Sequence, residues 1–209
     1  MKGTGNRILA LDFDGVIVDS IEECYVSGYN AYQRYINNSF RIYNKSEIDP
    51  DDFQQFKELR NFINFGKDYV FILHALSSQE NISTQIDFDA FIEENEHLSE
   101  YFNQVFHSAR MNLFTNHFST WLEMNPLYPG FRSFLQHPPP NLTIYIISTK
   151  RTEFIKAIMN KIGVTLNQDN ILFAAGQFSK KMAMKEILEK EHMKTRDCFF
   201  IDDQLKNVV

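Results

Sequence analysis

Short apolar runs ending in polar side chains recur in this sequence, and their uneven spacing constrains the fold more than any other feature. Ile8–Leu11 runs into Asp12-Phe13-Asp14-Gly15, and nothing comparable follows until Leu142–Ile147, which ends in Ser148-Thr149-Lys150. Ile171–Ala175 and Cys198–Ile201 come next, the latter ending in Asp202-Asp203. Apolar runs this short, bounded by turn residues, read as strands buried on both faces. Between the last three lie helical patterns at Thr152–Ile162, with Gly163 as its C-cap, and at Lys180–Lys190. Alternating strand and helix predicts a parallel, doubly wound α/β sheet. The long stretch after the first strand cannot be a loop in a compact domain, so it must fold by itself.

That stretch reads as helices throughout. From Ser20 the period becomes 3.6, with Ile21, Cys24, Tyr25, Gly28, Tyr32, Tyr35 and Ile36 on one face. Asp19 or Ser20 can cap this helix, with Glu22 and Glu23 in its first turn. Asp51 or Asp52 can open a second helix through Phe53, Phe56, Leu59 and Phe62. Lys67–Leu76 has an apolar face, Ser77–Thr84 is a polar loop, Asp87–Phe114 supplies one or two helices, and Asn116–Met124 another. Pro126 and Pro129-Gly130 mark a boundary. A short helix, Phe131–Gln136, then stops at Pro138-Pro139-Pro140. The predicted organisation is a split α/β domain, residues 1–19 plus 126–209, with an all-helical insertion, 20–125, after the first strand. Most of the 20 Phe, 9 Tyr and 1 Trp fall in the insertion at helical spacing, as packing between helices requires.

Charge and cysteine content exclude several classes. The 209 residues carry a net charge of -6 without a basic cluster, which disfavours nucleic acid and anionic lipid as partners. Cys24 and Cys198 are too few for a disulfide framework. The start, MKGTGNRILALDFDG, reaches an aspartate before a signal-peptide core forms, and no run approaches the roughly 18 apolar residues of a membrane span. A soluble, cytoplasmic protein, monomer or homodimer, is expected.

Ligands of open parallel sheets bind outside the carboxyl ends of the strands. The residues there are Asp12 and Asp14, Ser148 and Thr149, then Asp202 and Asp203, with Lys180 and Lys181 in the loop before the last helix. Four carboxylates on one rim repel one another, and Mg²⁺ suits them, because it takes one or two carboxylates and completes its sphere with water and substrate phosphate.

In this order and context the segments resemble the four motifs of the haloacid dehalogenase-like (HAD) superfamily. DFDGVIVDS resembles the first motif of its phosphatase branch, IISTK the second, SKKMAMKEIL the third and FFIDDQLKN the fourth. The helical insertion sits where the family's C1 cap sits, and Tyr128-Pro129-Gly130 resembles the phosphoglycolate-phosphatase-like group. The resemblance implies a Rossmann-like core and hydrolysis of a small phosphorylated metabolite. It makes Asp12 the nucleophile that forms an aspartyl-phosphate, and Asp14 the acid and base. Ser148, with Thr149 beside it, would bind the phosphoryl group and Lys180 would neutralise it. Asp203 would hold Mg²⁺ with the Asp12 carboxylate and the Asp14 backbone carbonyl, with Asp202 as a further ligand or support and Asn207 outside it. Lys180 fits the lysine of the third motif better than Lys181, because Met184, Ile187 and Leu188 follow at the family's usual phase.

The same residues admit plainer roles: Asp12 and Asp14 as turn residues, Ser148 as a helix cap, Lys180 and Lys181 as surface lysines, and Asp202-Asp203 as a turn. Arg60, Asn64, Lys67 and Asp68 are candidates for substrate contact or members of an ordinary inter-helix turn. The family continues past its fourth motif with a helix, a strand and a helix, whereas this sequence ends at Val209, so the core is expected to lack its C-terminal end. The alternatives to a phosphatase are a phosphomutase of the same superfamily and a non-catalytic metal- or phosphate-binding protein. A response-regulator-like receiver also phosphorylates a strand-end Asp, but the insertion fits it badly.

Overall fold

The computed structural model describes residues 7–204 and Asn207. The first six residues and, in the fourth motif, Leu205 and Lys206 lie outside the described residues, as does Val209. The chain separates into two compact units, Ser20–Asn125 and the remainder.

The α/β unit is built on a four-stranded sheet with β1 (Arg7–Leu11), β2 (Leu142–Ser148), β3 (Ile171–Phe173) and β4 (Cys198–Ile201) in the order β3-β2-β1-β4. Every pair is parallel, as the strand–helix alternation predicts. In register, Leu11 faces Ile146 on one side and Ile201 on the other. The residues after these three therefore emerge at one end of the sheet. Ile8 and Ala10 alternate with Leu9 and Leu11. The first pair joins Tyr145, Ile147 and Ala174 in a core closed by Ala183 and Ile187 of α9 (Lys180–Lys190). The unit also holds α7 (Phe131–Gln136) and α8 (Thr152–Lys161). Helix α8 ends at Lys161 and is capped by Ile162, with Gly163 at φ 71°, the left-handed stop its sequence predicts. β3 is shorter than expected, although Ala174 N–H still bonds the Ser148 carbonyl at 2.8 Å.

The helical unit comprises α1 (Ile21–Tyr35), α2 (Pro50–Leu59), α3 (Asp68–Ser77), α4 (Gln85–Glu94), α5 (Ser99–Asn116) and α6 (Phe118–Glu123). α1 packs chiefly against α5 and α3. It is buried nearly all round rather than on one face, and Ile36 just beyond it is exposed. Such burial takes in polar side chains, among them Glu23, which Arg110 satisfies with bonds of 2.8 and 2.9 Å. The aromatic residues interlock as packing predicts. Tyr25 meets Phe53 and Phe56 edge-on, and Phe71 meets Phe102 at a centroid separation of 4.8 Å.

Helix starts depart from expectation where a better cap lies nearby. Ser20 occupies the N-cap of α1 without a capping bond from its side chain. α2 is opened by Asp49, not Asp51 or Asp52, because Asp49 accepts from both their N–H groups and Pro50 fits the first helical position. Thr84 and Asp87 form a capping box that fixes the start of α4. The stretch Asp87–Phe114 divides into two helices at Asn95.

Candidate functional site

The site is assembled from strand ends of the α/β unit. Asp12 follows β1 directly. Its N–H donates to the Ile201 carbonyl at 2.9 Å, which extends the β1–β4 ladder and fixes the aspartate beside the end of β4. Phe13 is fully buried, so the chain turns there with an apolar anchor between two carboxylates. Gly15, at φ 81°, adopts the left-handed conformation that closes the turn, and its N–H bonds the Val18 carbonyl at 2.8 Å.

The Asp12 carboxylate is almost fully buried and held at both oxygens. Oδ1 accepts from the Phe13 N–H at 2.7 Å, and Oδ2 accepts from Lys180 Nζ at 2.6 Å. Lys180 is the first residue of α9. Ser179 before it accepts the Met182 N–H at 3.2 Å and fixes the helix start. The same ammonium donates to Asp202 Oδ2 at 2.7 Å, so it bridges the ends of β1 and β4. Lys181, the next residue, is exposed. Asp202 Oδ1 accepts from the Gln204 N–H at 2.9 Å and from Asn207 Nδ2 at 3.1 Å. Asp202 is thus the fully engaged member of the pair and Asp203 the exposed one.

Carboxylate oxygens of Asp12, Asp202 and Asp203 lie within 4.8 Å of one another. Three hard oxygen donors so close suit a small divalent cation. The wider rim carries four carboxylates against the ammonium groups of Lys150 and Lys180, and when all are ionised the excess of two negative charges equals the charge of one such ion. Burial pushes the Asp12 carboxyl up to about 7, against the pull of Lys180, and Asp202 and Asp14 push the same way as burial. Burial disfavours the charge on Lys180, but Asp12 and Asp202 outweigh it and raise its pKa.

Ser148 closes β2 and is buried, and its Oγ accepts the Lys150 N–H at 3.2 Å. Thr149 is exposed on the loop that follows. Asp14 points its Oδ1 at Lys150 Nζ, 2.8 Å away. Sequence reasoning placed Lys150 in the strand-end turn but gave it no role, although its side chain is fully buried. The available signal was a third polar residue directly after the Ser-Thr of a strand end.

The four residues considered for substrate contact belong to the helical unit. Asp68 accepts the N–H groups of Asn64 and Phe65 at 2.6 and 2.8 Å, which closes the turn before α3. Lys67 Nζ donates to Ser99 Oγ at 2.7 Å. A Cβ on Gly66 would stand 2.5 Å from the Phe106 ring, so this turn needs its glycine for close approach. These contacts give Asp68, Lys67 and Gly66 structural work.

No protein-family model matches the chain, and no curated protein matches it in sequence. Solved structures do match. A predicted phosphoglycolate phosphatase from Haemophilus somnus aligns at a TM-score of 0.58 and 14% identity, over 95% of this chain and 77% of that one. A haloacid dehalogenase-like hydrolase from Streptococcus pneumoniae aligns at 0.57 and 12% identity, over 97% and 78%. A HAD-superfamily hydrolase, subfamily IA, from Geobacter sulfurreducens aligns at 0.55 and 13%, over 99% and 83%. At these identities the likeness is one of fold.

Proposed function

We propose that this chain, which carries the HAD-like fold, is a Mg²⁺-dependent phosphatase that hydrolyses a small phosphorylated metabolite through an aspartyl-phosphate on Asp12. The observation that carries this reading is the Lys180 ammonium held between Asp12 and Asp202, with Asp203 close by, at the carboxyl end of a parallel sheet. Turn or capping roles need neither the lysine bridge nor the convergence of carboxylates. The helical unit is read as the C1-type cap of such an enzyme. Cys24 and Cys198 are not joined in a disulfide, which suits a reducing, cytoplasmic setting.

In the proposed reaction a carboxylate oxygen of Asp12 bonds to phosphorus as the ester P–O bond breaks. Lys180 holds Asp12 in its attacking orientation and offsets the charge gathered there. Ser148 accepts the Lys150 N–H, which leaves its own hydroxyl hydrogen to donate to a phosphoryl oxygen. Thr149 lines the same strand end. Asp14 gives a proton to the departing oxygen, and then takes one from the water that hydrolyses the aspartyl-phosphate. Asp12, Asp202 and Asp203, with the Asp14 backbone carbonyl, would hold Mg²⁺. Bound there, Mg²⁺ would neutralise phosphoryl charge.

The test is phosphate release from an aryl phosphate and a panel of sugar, nucleotide and small-acid phosphates, with Mg²⁺ or with EDTA. Mg²⁺-dependent turnover that Asp12→Asn abolishes is the expected result. A folded wild-type protein that releases no phosphate from any of them, or whose Asp12→Asn variant turns over as fast, rejects the proposal.

A further inference from the structure

Lys150 is the buried cation that the proposed chemistry leaves unused. Its side chain is fully buried in the α/β unit, yet a lysine is among the side chains least often found fully buried without a partner. One partner is Asp14, whose Oδ1 lies 2.8 Å from Nζ, while about a quarter of the Asp14 side chain stays exposed. The backbone N–H of the same lysine donates to Ser148 Oγ, so one residue touches both polar side chains assigned to the substrate's phosphoryl and leaving groups.

We infer that Lys150 is a positioning residue for leaving-group protonation: it anchors Asp14 by Oδ1 and so orients the carboxyl that carries the proton to the departing oxygen. This rests on the phosphatase reading above. A carboxyl on a short side chain has two near-equivalent oxygens and two rotatable bonds. An ammonium fixed on one oxygen removes both ambiguities, and positioning of this kind is worth orders of magnitude in rate. In the step concerned, a new bond joins an Asp12 oxygen to phosphorus and the ester P–O bond breaks. The electron pair stays on the leaving oxygen, which takes the proton from the Asp14 carboxyl.

The consequence depends on the substrate. An alkyl phosphate needs its leaving oxygen protonated, whereas the anion of an activated aryl phosphate leaves unaided. The quantity to compare is kcat/KM, which reports the enzyme only up to the first irreversible step and excludes Asp14's later work as a base. For Lys150→Met we expect kcat/KM on an alkyl phosphate to fall by roughly tenfold to a hundredfold, part of the range for a lost general acid. On 2,4-dinitrophenyl phosphate the loss should stay within about threefold, as the same argument requires. Asp14→Asn should show the same selectivity with a larger loss, and Lys150→Met added to Asp14→Asn should cost little more, because both changes remove one function. Lys150→Gln, which keeps a donor, serves if the Met variant does not fold, and it should show the same selectivity with a smaller loss. Equal losses on both substrates, or a double variant in which the effects multiply, overturn the inference while leaving the phosphatase intact. A wild-type protein inactive on both substrates overturns the inference together with the phosphatase reading.

Discussion

Asp12 is where the proposed chemistry and the stability of the α/β unit meet. Burial pushes its carboxyl up to about 7 from the ordinary carboxylate range, so the folded protein retains a proton the unfolded chain has already lost. The stabilisation is complete below about pH 4 and is lost as pH rises through about 7, the reverse of the usual salt-bridged aspartate. In EDTA, the thermal midpoint of the wild type minus that of Asp12→Asn should fall between about pH 4 and about pH 7, the window those values set, and level off above it. His74, whose pKa burial lowers, works in the opposite direction on the acid side, and it cancels in the difference. Excess Mg²⁺, which the proposed function places on this carboxylate, should flatten the fall. A difference independent of pH in EDTA would contradict the burial argument. That Asp12 and Lys180 would stand close together was legible, because a strand-end motif and a helical phase are local patterns. Lys150 was not, because its meaning lies in a contact with a residue far away in the sequence.

Among the elements, α1 shows most clearly what a one-dimensional pattern leaves out. Periodicity marked its apolar face, but not that the opposite face is buried too, with Glu23 and Ser27 inside. Glu23 is fully buried and its carboxylate accepts from Ser27 Oγ at 2.7 Å as well as from Arg110 of α5. Arg110 also stacks over the Phe106 ring at 4.6 Å. Removing one charge strands the other, so Arg110→Met should destabilise the protein by about 3–5 kcal/mol in chemical denaturation. Glu23→Leu combined with Arg110→Met should recover much of that loss, because no unpaired charge remains. A double variant as unstable as the single would show that the pair contributes through packing instead of charge. Helix boundaries were read to within a few residues, and the misses have a common cause. Caps such as Asp49 and Thr84 are decided by backbone geometry just outside the apolar pattern.

For the whole molecule, strand alternation alone predicted a parallel sheet, and the order β3-β2-β1-β4 with every pair parallel agrees. Strand order itself was not legible from one sequence, since it depends on which edges meet in space. It matters here because placing β4 next to β1 brings Asp202 to Asp12, with Lys180 between them. Among the described residues no helix is long and apolar enough to cross a membrane. The measurement that bears most directly on the proposed chemistry is to trap the phosphoryl enzyme. Protein mixed with an activated aryl phosphate and Mg²⁺ is quenched in acid, digested and analysed by mass spectrometry. Asp14→Asn serves alongside the wild type, because it should form the aspartyl-phosphate from such a substrate and hydrolyse it slowly. A hydroxylamine-sensitive phosphoryl group on the peptide containing Asp12, absent from Asp12→Asn, is the predicted result. Phosphate release with no label on that peptide, in wild type and Asp14→Asn alike, would contradict Asp12 as the nucleophile.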